Sequence, residues 1–435
     1  MNIPASTYQN PAAKHRWRVL AIFFIFMLLH QSDKLLIGPL MKPIMDQFKI
    51  NYTQWGLINT GAMVVGFMLY PVWGWLSDKY NRAKLLALAS AVWGATTWFS
   101  AIAPTYGWFM VTRSSTGIDD SSYPGAYSLV ADYFSPKMRG KVYGILQLTA
   151  PLGYLIGMLL ALMLGGAIGW RAVFYITGTL GILVAALIFF GVKDLPRGSG
   201  EAELDQVDKE KFKFSWKVAG ELFKKKSMLA IFGQGFFGVF PWNVMTTSFF
   251  GYLEIERGYT SETMLFTMAP AVIVLALGYP LGGFLGDFLF KRTKRGRLIV
   301  AAFGVIMGAI LMYLTINVPV DQPGTFGIML MLTAIFIPFA SPNVLSTIYD
   351  VTLPEVRSTA NAIESFIENA GAASAPLIAG LIADATSLRA SILIICTSTW
   401  LVCFIIFFAA IYFVPKDITD LHKQLADRAA AEAAK

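Results

Sequence analysis

Charge and cysteine are what this sequence has little of. Of its 435 residues only 14% are Asp, Glu, Lys or Arg, and only two are cysteine. Charge this sparse does not suit a water-soluble surface, since soluble proteins carry about a quarter of their residues as charge. Cys396 and Cys403 stand seven positions apart in the last apolar run. That spacing puts them on one helix face, too far apart along the axis to bridge, so they read as packing residues that say nothing of compartment. Catalytic signatures are missing too. Neither HExxH, GxSxG nor GxxxxGK[ST] occurs, and one histidine alone, His30, stands at membrane depth. An embedded lipid hydrolase and an ATP-driven motor are therefore not expected, nor are a metal or a cofactor. A sensor would need a signalling domain that neither the linker nor the tail is long enough to supply.

What the chain has is apolar length. Hydrophobic residues make up 56% of it, with a mean hydropathy of +0.57. Runs of roughly 20 apolar residues, each able to cross a bilayer, recur about twelve times. The net charge of +8 would suggest a nucleic-acid partner in a soluble protein. Here Lys and Arg gather at the N-terminus and in alternate loops, so they set orientation, and no nucleic acid is expected. The first run follows Lys14, Arg16 and Arg18 without a small-residue cleavage site and reads as a retained span.

Two internal echoes divide the chain. Asp132-Tyr-Phe-Ser-Pro136-Lys-Met-Arg139-Gly140 returns as Asp350-Val-Thr-Leu-Pro354-Glu-Val-Arg357-Ser358, and Gly74-Trp-Leu-Ser-Asp78 returns as Gly283-Phe-Leu-Gly-Asp287. Echoes in the same order imply two halves of similar topology. The expected fold is all-α and integral to the membrane, with twelve transmembrane helices in two pseudo-symmetric halves of six. Residues 1–192 form the first half and 193–226 a polar linker, whose Phe212–Phe223 part is amphipathic. Residues 227–414 form the second half, with its last helix ending at Phe413, and 415–435 a tail.

Ionisable side chains at membrane depth are costly and usually face a bundle interior or a water-filled cavity, so they mark the functional candidates. The densest stretch is Arg113 to Tyr127, R-S-S-T-G-I-D-D-S-S-Y-P-G-A-Y. In a continuous helix Arg113, Thr116, Asp120, Pro124 and Tyr127 fall near one face, with Asp119 roughly 100° away. The first run (Trp17–Met41) adds His30, Asp33 and Lys34 on one face. The seventh holds Gln234, Trp242 and Asn243 beside Pro241, and the tenth Pro338, Pro342 and Asn343. The eleventh carries Asn361, Glu364 and Glu368 as a stripe. Burial favours the neutral form of a carboxyl group, which makes Asp33, Asp120 and Glu368 the candidates to carry a coupling proton. Arg113, Lys34, Asp119, Tyr127, Trp242, Asn243, Asn343 and Glu364 are the candidates to touch substrate. The plainer reading is an Arg113–Asp120 pair that only holds helices together, with Lys34 snorkelling to the interface.

The stretch Gly74 to Lys84, GWLSDKYNRAK, resembles the loop signature of the major facilitator superfamily, with Asn81 in place of a glycine and Arg82 one place early. The pair Asp33-Lys34, the stretch Arg113 to Tyr123 with Asp120 where a glutamate is usual, and Ser341-Pro342-Asn343 resemble the Spinster-type lipid transporters and their bacterial relatives. That resemblance implies a secondary transporter working by alternating access, proton-coupled or sodium-coupled, that moves a small amphipathic or organic anionic solute such as a lysolipid. A carboxylate uptake symporter and a drug or metabolite efflux antiporter are the alternatives. The position of Asp78, Arg82, Asp132, Arg139, Asp287, Asp350 and Arg357 at helix ends in both halves points to a conformational latch. The expected setting is a monomer among the lipids of a bacterial inner membrane, with both termini and residues 193–226 cytoplasmic. Single cysteines at Ser199 and Gly324 check the orientation: a membrane-impermeant maleimide added to intact cells should label position 324 and not position 199.

Overall fold

The computed structural model describes residues 15–120, 122–134, 136–195, 220, 222–352 and 357–433. Every regular element among them is helical. In chain order the helices are α1 (Arg16–Leu35), α2 (Met41–Phe48), α3 (Tyr52–Lys79), α4 (Arg82–Ala101), α5 (Tyr106–Ser115), α6 (Gly117–Asp120), α7 (Tyr123–Tyr133), α8 (Pro136–Gln147), α9 (Thr149–Ile168) and α10 (Trp170–Gly191). After the linker come α11 (Lys226–Gly238), α12 (Phe240–Thr247), α13 (Ser261–Phe290), α14 (Gly296–Ile316), α15 (Pro323–Phe336), α16 (Ala340–Val351), α17 (Arg357–Ala385) and α18 (Leu388–Ala433). Among the described residues eight helical segments are long and apolar enough to cross a bilayer, the first of them beginning at Val142. The other four expected passes lie before that point, in the part of the chain that carries His30, Asp33, Lys34, Arg113, Asp119 and Asp120.

Two compact units emerge. The first comprises Met1–Ile37 and Gly61–Asp208. In it α1 packs on α9 and α10, and α4 lies along α10, around a core that includes Phe23, Phe26, Trp93, Leu129 and Phe134. Glycines set these crossings. A Cβ on Gly94 would fall 2.7 Å from the Gly178 carbonyl oxygen, and one on Gly153 would fall 2.6 Å from Gln31 Cβ. Small residues at such points let helix backbones approach closely. Asn81, where the superfamily signature has glycine, caps α4 by accepting the Lys84 N–H at 2.9 Å.

The second unit comprises Gly38–Thr60 and Lys209–Lys435. Residues 38–60 thus group with the later part of the chain rather than with the rest of residues 1–192. Asp384 explains part of this, because its carboxylate accepts the first N–H groups of α3, from Tyr52 at 2.9 Å and Thr53 at 2.8 Å. An acid at a helix N-terminus meets donors that the helix itself leaves free. Within this unit α11 and α14 pack on α18, and α13 packs on α14 and α15.

One boundary is corrected. The last helix does not end at Phe413 but runs on to Ala433 with Pro415 inside it. Ser227 donates a hydrogen bond to Asp417, and Ile418 and Leu421 are buried, so packing on the unit holds the helix past the proline. Most of the Phe212–Phe223 stretch lies outside the described residues. The α4–α10 crossing predicts a contrast. Gly94→Val should cost about 1–3 kcal/mol by overpacking, whereas Gly166→Ala, where a Cβ meets nothing within 4 Å, should leave thermal stability in detergent unchanged.

Candidate functional site

The charged stretch from Arg113 is not one continuous helix. It breaks into α5, α6 and α7, with Thr116 between the first two and Ser122 just before the third. Two contacts from α3 accompany the break. A Cβ on Gly117 would fall 2.7 Å from the Gly66 nitrogen, so only glycine allows this approach, and Trp73 Nε1 donates to the Ile118 carbonyl at 2.5 Å. Such a substitute donor is what a freed carbonyl needs away from water. The expected shared face is lost, and with it the Arg113–Asp120 pair.

Arg113 instead turns to α1. Its Nη1 lies 3.4 Å from Asp33 Oδ2, and its guanidinium sits 5.1 Å from the centre of the Phe174 ring. Asp33, only 2% exposed, also accepts from Thr177 at 2.6 Å and Thr97 at 3.1 Å. One acid thus ties α1 to α4, α5 and α10. Asp120 pairs with Lys34 at 2.7 Å, and Asp119 with His30. His30 Nε2 also lies 3.7 Å from Asp120, and its Nδ1 meets the Tyr123 hydroxyl at 2.6 Å. His30 was not among the substrate or proton candidates. Its spacing from Asp33 and Lys34 placed it on their face, but nothing in the sequence showed that Asp119 would meet it.

The helix ends carry a second set of ion pairs, one in each unit. Arg82, 2% exposed, lies 2.6 Å from Asp132 and 2.9 Å from Asp194, and donates to Ser128 and to the Leu195 carbonyl. In the second unit Arg297 pairs with Asp287 at 2.7 Å and with Asp350. Arg82 and Arg297 thus hold corresponding acids of the repeated motifs. Asp194 and Arg297 were not anticipated, because Arg297 stands ten residues after Asp287 while Arg82 stands four after Asp78. The side chains of Asp78, Arg139 and Arg357 lie outside the described residues.

The second unit also holds a cavity of about 390 Å³. Glu364 and Glu368 line it from α17, Gln234 and Trp242 from α11 and α12, Tyr279 from α13 and Ser341 from α16. The eleventh-run stripe therefore faces one space, as its spacing predicts. The tenth pass is interrupted beside it by a 3₁₀ turn at Ile337–Phe339. Asn243 and Asn343 do not line it. Asn243 bonds the Val239 carbonyl at 3.0 Å, and Asn343 spends its amide on the carbonyls of Gly282 at 2.9 Å and Phe339 at 2.8 Å. Tyr127 packs edge-on against Tyr143. Among the described residues no cluster of His, Cys, Asp and Glu is placed to hold a metal ion.

Comparison with known proteins gives this geometry a context. The family profile described as Major Facilitator Superfamily matches residues 22–352. The chain is 26% identical to the protein spinster of Drosophila melanogaster over 393 residues, covering 86% of this chain and 63% of the fly protein. It is 26% identical to the cis,cis-muconate transport protein of Acinetobacter baylyi, covering 88% of this chain and 92% of that one. It is 25% identical to a sphingosine-1-phosphate transporter of Danio rerio, covering 82% and 74%. In three dimensions it is similar to a crystal structure of a bacterial homolog to the human lysosomal transporter Spinster, inward-facing and unoccupied. That match has a TM-score of 0.76 at 20% identity and covers 94% of this chain and 98% of the other.

The two helix-end clusters should differ in worth. Arg82→Gln leaves two acids around a buried site and should cost about 3–5 kcal/mol. Arg297→Gln, whose partner Asp287 is 61% exposed, should cost about 1 kcal/mol or less. Thermal denaturation of both variants in one detergent checks the order.

Proposed function

The chain belongs to the Major Facilitator Superfamily, and from that premise we propose that it is a proton-coupled carrier of a small amphipathic or anionic organic solute, working by alternating access. It is an integral, multi-pass membrane protein of a transporter family that moves small molecules, and not an enzyme.

One observation carries the coupling. Of the ion pairs around α1, Lys34–Asp120 is the open one: the Lys34 side chain is 41% exposed and that of Asp120 18%, against 6% and 2% for Arg113 and Asp33. An anionic group arriving at Lys34 competes with Asp120 for the same ammonium. A carboxylate left without its cation in a low-dielectric site is stable in its neutral form, so the arrival of the anion draws in a proton. His30, between Asp120 and Asp119, gives that proton a neighbouring acceptor. Arg113, stacked on Phe174 and bonded to Asp33, acts on this site through charge and position. The names of two relatives, for muconate and for sphingosine-1-phosphate, denote anionic cargo and support an anion at Lys34. The alternating basic loops support cytoplasmic termini in a bacterial inner membrane. Opening and closing of the helix-end pairs at Arg82 and Arg297 is the proposed latch.

Counterflow of labelled organic anions and lysolipids in proteoliposomes, with and without a proton gradient, tests the reading. Asp120→Asn, which mimics the protonated acid, should abolish gradient-driven accumulation and keep solute-for-solute exchange. Proton-driven uptake at the wild-type rate in a normally folded Asp120→Asn variant removes Asp120 from the mechanism.

A further inference from the structure

The cavity in the second unit has a chemistry opposite in sign to that of an anion site at Lys34. Glu364 and Glu368 stand one turn apart on α17 and both line it. Like charges at this spacing repel. Glu364 is 9% exposed, and Gly235 makes room for it, since a Cβ there would lie 2.9 Å from Glu364 Oε1. Among the described residues the lining contains no lysine, arginine or histidine to balance the two acids.

A second observation is independent of the acids. Gln234, 7% exposed, lines the same cavity, and its Oε1 is buried without a hydrogen-bond partner. An unmet buried acceptor costs about 1–3 kcal/mol, so a site that keeps one is suited to a donor from outside the chain. The rings of Trp242 and Tyr279 complete the wall. Aromatic rings beside carboxylates suit an organic cation, whose charge is attracted to both. A volume of about 390 Å³ falls within the range of small-molecule sites and exceeds what a bare metal ion fills.

We propose that this cavity is a binding site for an organic ammonium group. Glu364 and Glu368 supply the countercharge, Gln234 Oε1 accepts one N–H, and Trp242 and Tyr279 cover the apolar part of the ligand. The inference stands on the cavity alone and does not need the proton coupling described above.

Equilibrium binding to the full chain in zwitterionic lipid nanodiscs tests it, with empty nanodiscs as the blank. The probes share one skeleton: phenylethylamine, cationic at neutral pH, phenylethanol and phenylacetate. Phenylethylamine should bind at least about tenfold more tightly than either of the others, a difference of about 1.4 kcal/mol. Glu364→Gln and Glu368→Gln keep the side-chain shape, and each should weaken it by about tenfold, while Gln234→Leu should weaken it severalfold. Equal binding of the amine and the alcohol overturns the proposal. So does wild-type amine affinity in a normally folded Glu364→Gln/Glu368→Gln double variant, or displacement of the amine by millimolar sodium. Should the variants misfold, the ranking of the three probes on the unaltered chain decides. Because the readout is binding, amine selectivity without proton-driven uptake overturns the coupling scheme and leaves the site standing, and the converse result does the reverse.

Discussion

A charge taken out of water must be met by other charges and donors, and the first unit is arranged around that requirement. Desolvating an ion costs several kcal/mol, and only good geometry with additional hydrogen bonds offsets it. Asp33 has three donors from three helices, and Arg82 has two carboxylates, a hydroxyl and a carbonyl. These closed clusters fix α1, α4, α5 and α10 to one another, because parting them would strand a buried ion. Lys34 and Asp120 are held less completely. The contrast separates a scaffold of satisfied ions from one pair that stands partly open.

Interrupted helices answer a related constraint on the backbone. Away from water an unpaired carbonyl needs a donor, so irregular backbone at depth survives only where protein or a cavity supplies one. Trp73 does this for Ile118 beside the break between α5 and α6. The fourth pass breaks at Thr116, ahead of Asp132, and the tenth at Ile337–Phe339, ahead of Asp350. Each break lies in a polar neighbourhood: the His30–Asp119–Asp120 cluster in one unit and the Glu364–Glu368 cavity in the other.

The all-α class, the doubled topology and the buried ionisable residues were legible in the sequence, because charge in an apolar run is rare enough to stand out. The Asn361–Glu364–Glu368 stripe was readable since it lies on an unbroken helix, where spacing fixes direction. Periodicity failed from Arg113 to Tyr127. The break there depends on Gly117, Gly66 and Trp73, residues too ordinary in sequence to announce it. Partner choice was equally hidden. That Arg113 would turn to Asp33, and His30 to Asp119, follows from how α1 packs against the fourth pass, and no local pattern encodes it. Arg297 escaped for a simpler reason: it stands ten residues after Asp287, whereas Arg82 stands four after Asp78.

The repeat thus keeps an ion pair at matching helix ends while its polar sites diverge. Arg82 with Asp132 and Arg297 with Asp350 occupy matching helix ends in the two units, as expected of groups that serve the topology. The polar sites do not match. In the first unit His30, Lys34 and Arg113 stand against Asp33, Asp119 and Asp120, three bases to three acids. In the second, Glu364 and Glu368 face a cavity whose described lining has no base. A balanced cluster needs a proton only when an arriving anion displaces one of its acids, whereas an unbalanced one reaches neutrality only by taking up protons or a cation. Function in a shared fold resides in such grafted chemistry rather than in the helices that carry it. The asymmetry is one of charge balance: bases and acids stand in equal number in the first polar site, and among the described residues acids are the charged groups that line the second.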